Sequence, residues 1–166
     1  NTKLSNKLLL MGLPMGLQYS ITAIGSTVIQ TAVNGLGSVY VAAITAGNKV
    51  SLLFTQPYDT IGTAMATFCG QNLGARKLDR IHKGMKQGII AMGVYTVFAF
   101  FAIVFAGRYI ALLFVNADQV ELLGYVEKFL FANAAFYFPL GLLMVLRYAI
   151  QGLGYSLFAM LAGIME

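Results

Sequence analysis

Between Lys7 and Lys49 the chain contains no charged residue. A hydrocarbon layer about 30 Å thick takes roughly 20 apolar residues of helix to cross. The stretch is too long for one crossing, and Asn34-Gly35-Leu36-Gly37-Ser38 interrupts it with turn chemistry. The pattern predicts a first helix over about Ser5 to Val33 and a second over about Val39 to Asn72. Gly70-Gln71-Asn72-Leu73-Gly74-Ala75 ends the second, with Gly74 expected in the left-handed conformation that closes a helix.

The rest of the chain carries the same signature. Of 166 residues, 58% are hydrophobic and 10% charged, and the mean hydropathy is +0.75. Soluble domains carry about 25% charged residues, so a water-soluble fold of this length is excluded. Disorder is excluded because disordered chains are polar and charge-rich. With three prolines the chain is not collagen-like, and the lone Cys69 cannot form an internal disulfide. The net charge of +5 comes from cations placed between apolar runs rather than gathered on one soluble face. That is how membrane topology is written, and no nucleic-acid partner is expected.

A charged segment, Arg76, Lys77, Asp79, Arg80, Lys83 and Lys86, precedes a charge-free core from Gln87 to Gly107, giving a third span over about 83–115. Arg108 to Glu127 forms a polar junction, in which Asp118 and Glu121 have capping-box spacing. A fourth helix is expected over about 120–151, broken by Gly152-Leu153-Gly154. Tyr155 to Glu166 begins a fifth that is too short to cross. The fold class is therefore all-α, a polytopic transmembrane helix bundle of four spans and the start of a fifth. Because the chain stops mid-span, a piece of a longer protein is expected. The first apolar run is not a signal peptide, since it lacks a small-residue cleavage site and more spans follow. Lys3, Lys7 and the 73–86 loop fall on one side after two crossings, with Arg147 near it, whereas Arg108 and Lys128 fall on the other. The Lys/Arg excess places the N-terminus and the 73–86 loop in the cytoplasm.

Helix two holds the most informative polar residues. Counted back from Asn72 at about 1.5 Å per residue, Asp59 lies roughly 20 Å deep, near the midplane. Lys49, Gln56 and Thr63 are seven apart on one stripe, which Asp59, Thr60 and Thr67 widen. Such a stripe is costly against lipid and is expected to face other helices or a wet cavity. Asp59 has two readings: a transport role, or capping of backbone freed by Pro57. Lys49 either lines the cavity or snorkels outward. Gln18, Thr22, Gln30, Thr31 and Asn34 on helix one either face the cavity or hydrogen-bond between helices. Gly12-x-x-x-Gly16 and Gly84-x-x-x-Gly88 allow close helix packing, and Pro14, Pro57 and Pro139 inside spans suggest bendable helices. Phe98, Phe100, Phe101 and Phe105 read as lipid contacts. Tyr19, Tyr58, Phe136, Tyr137 and Phe138 are candidates to stack on a cationic aromatic ligand. Protease, hydrolase and phosphate-loop motifs are missing, as is any metal cluster. His82 reads as solvated and Cys69 as packing. No enzyme activity and no cofactor are expected.

Taken in order, several of these segments resemble the multidrug and toxic compound extrusion (MATE) transporters. Gly12-Leu-Pro-Met-Gly-Leu-Gln18 and Ala23-Ile-Gly25 are similar to the family's seventh helix, and the match continues through Asn34-Gly-Leu-Gly37 and Val41-Ala-Ala43. The most specific piece is Thr67-Phe-Cys-Gly-Gln-Asn-Leu-Gly-Ala75 with Arg80-Ile81 and Gly84, which resembles the loop between helices eight and nine. Leu113-Phe114 before Asp118, Arg147 with Gln151-Gly152-x-Gly154, and Gly163-Ile-Met-Glu166 resemble helices ten and eleven. The resemblance implies a partial second six-helix lobe of a twelve-helix transporter in the plasma membrane. It implies export of small cationic lipophilic compounds in exchange for H+ or Na+ by alternating access, with the remaining half of the transporter and membrane lipids as partners. Asp59, Gln56, Thr63, Gln18, Gln30 and Asn34 are then the expected cavity residues, and Gly70, Gln71, Asn72, Gly74 and Ala75 the family-motif loop. The places where sodium-coupled members carry acids fall here near Thr22 and Leu140. Outside the charged segment at 76–86 and the polar junction at 108–127, Asp59 and Glu166 are the acids left to this chain. The alternatives are a flippase for lipid-linked oligosaccharide or polysaccharide precursors, whose cavity should be more basic, and a non-transporting membrane scaffold subunit.

Overall fold

The computed structural model describes residues 2–165, apart from the side chains of residues 4 and 7. Glu166 and the side chain of Lys7 thus lie outside the described residues. Six helices occur in order among them: α1 (Thr2–Asn34), α2 (Ser38–Gly74), α3 (Leu78–Ala111), α4 (Val120–Ala135), α5 (Tyr137–Gly152) and α6 (Ser156–Ile164). The chain is an all-α transmembrane helix bundle. Leu8–Asn34 and Leu78–Ala111 are long and apolar enough to cross a membrane, and α4 with α5, bent by 49°, forms a third candidate. At 37 residues α2 is the longest helix, but its polar stripe keeps it out of that apolar group.

The single helix expected over 120–151 is two. Proline lacks an N–H, and its ring crowds the carbonyl four residues earlier. Counted back from Pro139 that carbonyl belongs to Ala135, where α4 ends. Pro14 and Pro57 lie inside continuous helices. Near Pro57, the Tyr95 hydroxyl donates to the carbonyl of Phe54 at 3.0 Å, beside the Leu53 carbonyl whose helical donor the proline removes. The third helix also starts earlier than expected, at Leu78, so that Asp79 to Lys86 form its first turns rather than a loop.

Helices α2 to α5 build one core. The buried face of α2 runs through Ala43, Ala46, Val50, Phe54, Tyr58, Met65 and Cys69. Tyr58 and Tyr137 are nearly sealed, and Tyr58 donates to Thr96 Oγ1 at 3.0 Å. Their rings meet edge-on at 5.8 Å, and Tyr58 meets Tyr95 at 5.1 Å. Two of the five aromatic candidates for ligand stacking are therefore core residues. Phe136 and Phe138 are exposed on the outer surface.

Glycines set the helix approaches. A Cβ at Gly88 would lie 2.7 Å from Met65 Sδ, and one at Gly84 would enter the Phe68 ring, so this GxxxG pair brings α3 onto α2. Gly12 and Gly16 face open space and pack nothing within this chain. At the α2–α5 crossing a Cβ on Gly70 would sit 3.1 Å from the Gly152 carbonyl oxygen. One on Gly152 would come within 2.7 Å of the Ala66 Cα and carbonyl carbon.

The turn after α2 closes differently from expectation. Lys77 N–H bonds to the Asn72 carbonyl at 2.8 Å and Arg76 N–H to that of Leu73 at 2.9 Å. This is the Schellman pattern, and its left-handed residue is Arg76, with φ 55°, not Gly74. The returning amides fix the position: helix continues through Gly74, and the chain reverses two residues later. After α5 the same pair of bonds runs from Tyr155 to Ile150 and from Gly154 to Gln151, with Gly154 at φ 94°. A side chain in this conformation costs about 1 kcal/mol. Arg76→Gly is therefore expected to stabilise the full-length protein by about that amount, read as a rise in its melting temperature in detergent.

The capping box expected at Asp118 and Glu121 does not form. The N-cap of α4 is Gln119, one residue later, without a side-chain cap bond. Glu121 Oε1 instead accepts from the Tyr125 hydroxyl one turn on.

Candidate functional site

Asp59 lies in the middle of α2, on the face turned away from the four-helix core. Its carboxylate Oδ1 accepts a hydrogen bond from the Tyr148 hydroxyl of α5. Gly62 makes this reach feasible. A Cβ there would stand 3.0 Å from two Tyr148 ring carbons, so the bare glycine seats the ring one turn from the acid. Tyr148 is buried while Asp59 stays exposed, which leaves part of the carboxylate open.

The open side faces a cavity of about 490 Å³ bounded by α1, α2, α5 and α6. Gln18, Tyr19 and Thr22 line it from α1, Asp59 from α2, Arg147 and Tyr148 from α5, and Gly163 from α6. Gln18 is buried where α6 crosses α1, since a Cβ on Gly163 would lie 3.0 Å from Gln18 Cγ. Arg147 is 9% exposed. Its guanidinium donates to Met144 Sδ at 3.2 Å and lies 5.4 Å from the Tyr148 ring centroid. The Asp59 carboxyl group, a buried guanidinium, a carboxamide and two tyrosines thus converge in one partly enclosed space.

Of the residues expected in the cavity, Asp59 and Gln18 come together there. Asn34 lines a second cavity of about 650 Å³ with Lys49 and Phe114, toward the α1–α2 turn. Lys49 is exposed, with Nζ 5.9 Å from the Phe114 ring centroid, so it does not share space with Asp59. Gln30 Nε2 donates to Asn34 Oδ1 at 2.9 Å on the exposed side of α1. Gln56 and Thr63 line neither cavity. Thr63 Oγ1 donates to the Thr60 carbonyl, Thr60 to Gln56 and Thr67 to Thr63. Hydroxyls satisfied by their own helix lose most of their cost against lipid, which is why this stripe does not have to face a cavity.

Of the family-motif residues, Gly70 and Asn72 pack inside the fold. Gly70 gives α5 its approach, and Asn72 is buried with Nδ2 donating to the Phe68 carbonyl at 2.8 Å. Gln71 and Gly74 are exposed. The Gln71 carbonyl accepts from the N–H of Ala75, the C-cap of α2. As for the two readings of Asp59, a carboxylate only accepts hydrogen bonds and cannot satisfy a freed carbonyl. Tyr95 bonds the carbonyl beside that one, and Asp59 is bonded to Tyr148 instead. Sequence reasoning misses Tyr148, Gly62 and the cavity position of Arg147. The available signal is an arginine-tyrosine pair directly after a charge-free run, five residues inside the end of a helix.

An all-α bundle with apolar helices of membrane-crossing length and an acid open to a partly enclosed cavity defines a polytopic membrane protein. The MatE family model matches residues 14–165, and the chain belongs to that family. It is 28% identical over 147 residues to Probable multidrug resistance protein YpnP of Bacillus subtilis (strain 168), an alignment covering 89% of this chain and 33% of the relative. It is also 28% identical over 82 residues to Probable multidrug resistance protein YoeA of the same organism, covering 49% of this chain and 18% of that protein. The chain thus spans about a third of the length of the first of these relatives. No solved structure matches it.

Proposed function

We propose that this chain forms part of the second lobe of a plasma-membrane exporter that carries small cationic lipophilic compounds outward in exchange for H+ or Na+. Membership of the MatE family and the names of the two relatives support the class of activity. The observation that carries the reading is the Asp59–Tyr148 pair, exposed to a cavity between long helices poor in charge. An ionised carboxylate there attracts a cation, and protonation removes that attraction, so a proton and a drug can compete for one group. The rest of the protein supplies the facing wall, and the Lys/Arg excess puts the N-terminus and the 73–86 loop in the cytoplasm. Vesicles containing the full-length protein should accumulate a cationic dye when an H+ or Na+ gradient is imposed. Equal accumulation with and without either gradient would reject antiport, and no accumulation at all would favour a scaffold role.

A flippase reading draws on Arg147, which shares the cavity and suits a phosphate. Lys49, the other candidate cation, stands in the second cavity with Phe114. A single arginine beside an acid is a poor host for a polyanionic headgroup. Competition between a cationic dye and an anionic lipid precursor for the purified full-length protein separates the two readings.

A further inference from the structure

We infer that the basic start of α3 and the apolar face that continues from it form a binding surface for one anionic phospholipid, headgroup and acyl chains together. Arg76, Lys77, Arg80, Lys83 and Lys86 are all exposed, and Asp79 is the one acid between residues 73 and 86. None of these cations is in an ion pair among the described residues. The ion pair found there, Arg108 with Glu127, is at the far end of α3. A cluster of this size beside a membrane-crossing helix attracts anionic headgroups.

The second observation is what lies above the cations on the same face. Steps of seven and eleven residues return to one side of a helix after about two and three turns. Lys83 is therefore in line with Ile90, Val94 and Phe101, and these three are all exposed, as are Val97 and Phe98 flanking that line. Opposite them Gly84, Gly88, Met92 and Ala99 face the core, so the outer face stays exposed, with ring contacts of Phe98 and Phe101 only to residues of α3 itself. Lys83 to Val94 spans about 16 Å, close to half the hydrocarbon thickness of about 30 Å and so to the depth of one leaflet. A lipid whose phosphate sits among Arg80, Lys83 and Lys86 can lay its chains along Ile90, Val94 and Val97. A free phosphate would use the cations and leave that apolar line without a partner. The inference rests on this face alone and stands independently of the transport reading.

The full-length protein, reconstituted in mixed phosphatidylcholine and phosphatidylglycerol and re-extracted in mild detergent, should retain phosphatidylglycerol roughly tenfold above its bulk ratio. The combined variant Arg80→Gln, Lys83→Gln, Lys86→Gln should bring that ratio close to bulk while leaving the protein monodisperse. Wild-type protein washed at high salt should lose most of the enrichment, since exposed charges are screened, and this arm needs no variant. Adding inorganic phosphate at matched ionic strength should leave the enrichment unchanged. Retention at the bulk ratio by wild type, enrichment that survives the triple variant, or displacement by inorganic phosphate would each overturn the inference.

Discussion

Asp59→Asn should reduce gradient-driven export by the full-length protein by about tenfold or more. The magnitude comes from the loss of one charge attraction at contact distance in a partly wet cavity, about 1.4 kcal/mol or more. The substitution is close to isosteric and keeps an oxygen for the Tyr148 hydroxyl, so the α2–α5 contact survives and the folded protein should reach the membrane in normal amount. Tyr148→Phe makes the converse change: it keeps the charge and removes the bond that holds the carboxylate. Its effect should be smaller and show mainly as weaker apparent affinity, because a freed carboxylate still attracts cations from more positions. Drug resistance and efflux in cells read both variants. Wild-type efflux from Asp59→Asn would end the role assigned to this acid.

Gly152→Val should destabilise the full-length protein by about 3 kcal/mol or more, at or above the upper end for overpacked sites. The reason is the identity of the neighbour. A Cβ at residue 152 meets the Cα and carbonyl carbon of Ala66 at 2.7 Å, and backbone inside a helix cannot rotate aside as a side chain can. Relief requires α5 to move off α2, which also pulls Tyr148 away from Asp59. The variant is expected to lower the melting temperature in detergent and to lose export together with it. Gly93→Ala is the matched control on α3, where nothing lies within 4 Å. It should be neutral or stabilise by up to about 1 kcal/mol. Equal stability of Gly152→Val and wild type would mean that the α2–α5 crossing is looser than this geometry requires.

The bundle is legible in the sequence because a bilayer imposes a length and an apolarity that the charge-free runs record directly. The Gly84-x-x-x-Gly88 spacing is legible as a pattern for close helix approach, but the same spacing at Gly12 and Gly16 packs nothing within this chain, so the pattern alone does not locate the contact. The break before Pro139 is suggested but not located, as Pro14 and Pro57 lie in the same kind of sequence and leave their helices whole. The site is half legible. Asp59 stands out as the acid in the middle of a span, whereas its partner Tyr148 is 89 residues away and one of nine tyrosines. Nothing local marks it, because the pairing depends on how α5 crosses α2, and that in turn on Gly62 and Gly152. The threonine stripe misleads for an electrostatic reason. Each hydroxyl bonds a carbonyl of its own helix, so the polarity visible in the sequence is largely satisfied within α2.

Equilibrium binding of a lipophilic cation such as tetraphenylphosphonium to the purified full-length protein tests the central claim most directly, because it needs neither a gradient nor a membrane orientation. Saturable binding is predicted, weakened about tenfold by Asp59→Asn, weakened on acidification as the carboxyl takes a proton, and unchanged by Lys49→Gln in the second cavity. Binding that is indifferent to Asp59→Asn and to acidification, or that is lost with Lys49→Gln, would contradict the placement of the cation site at Asp59.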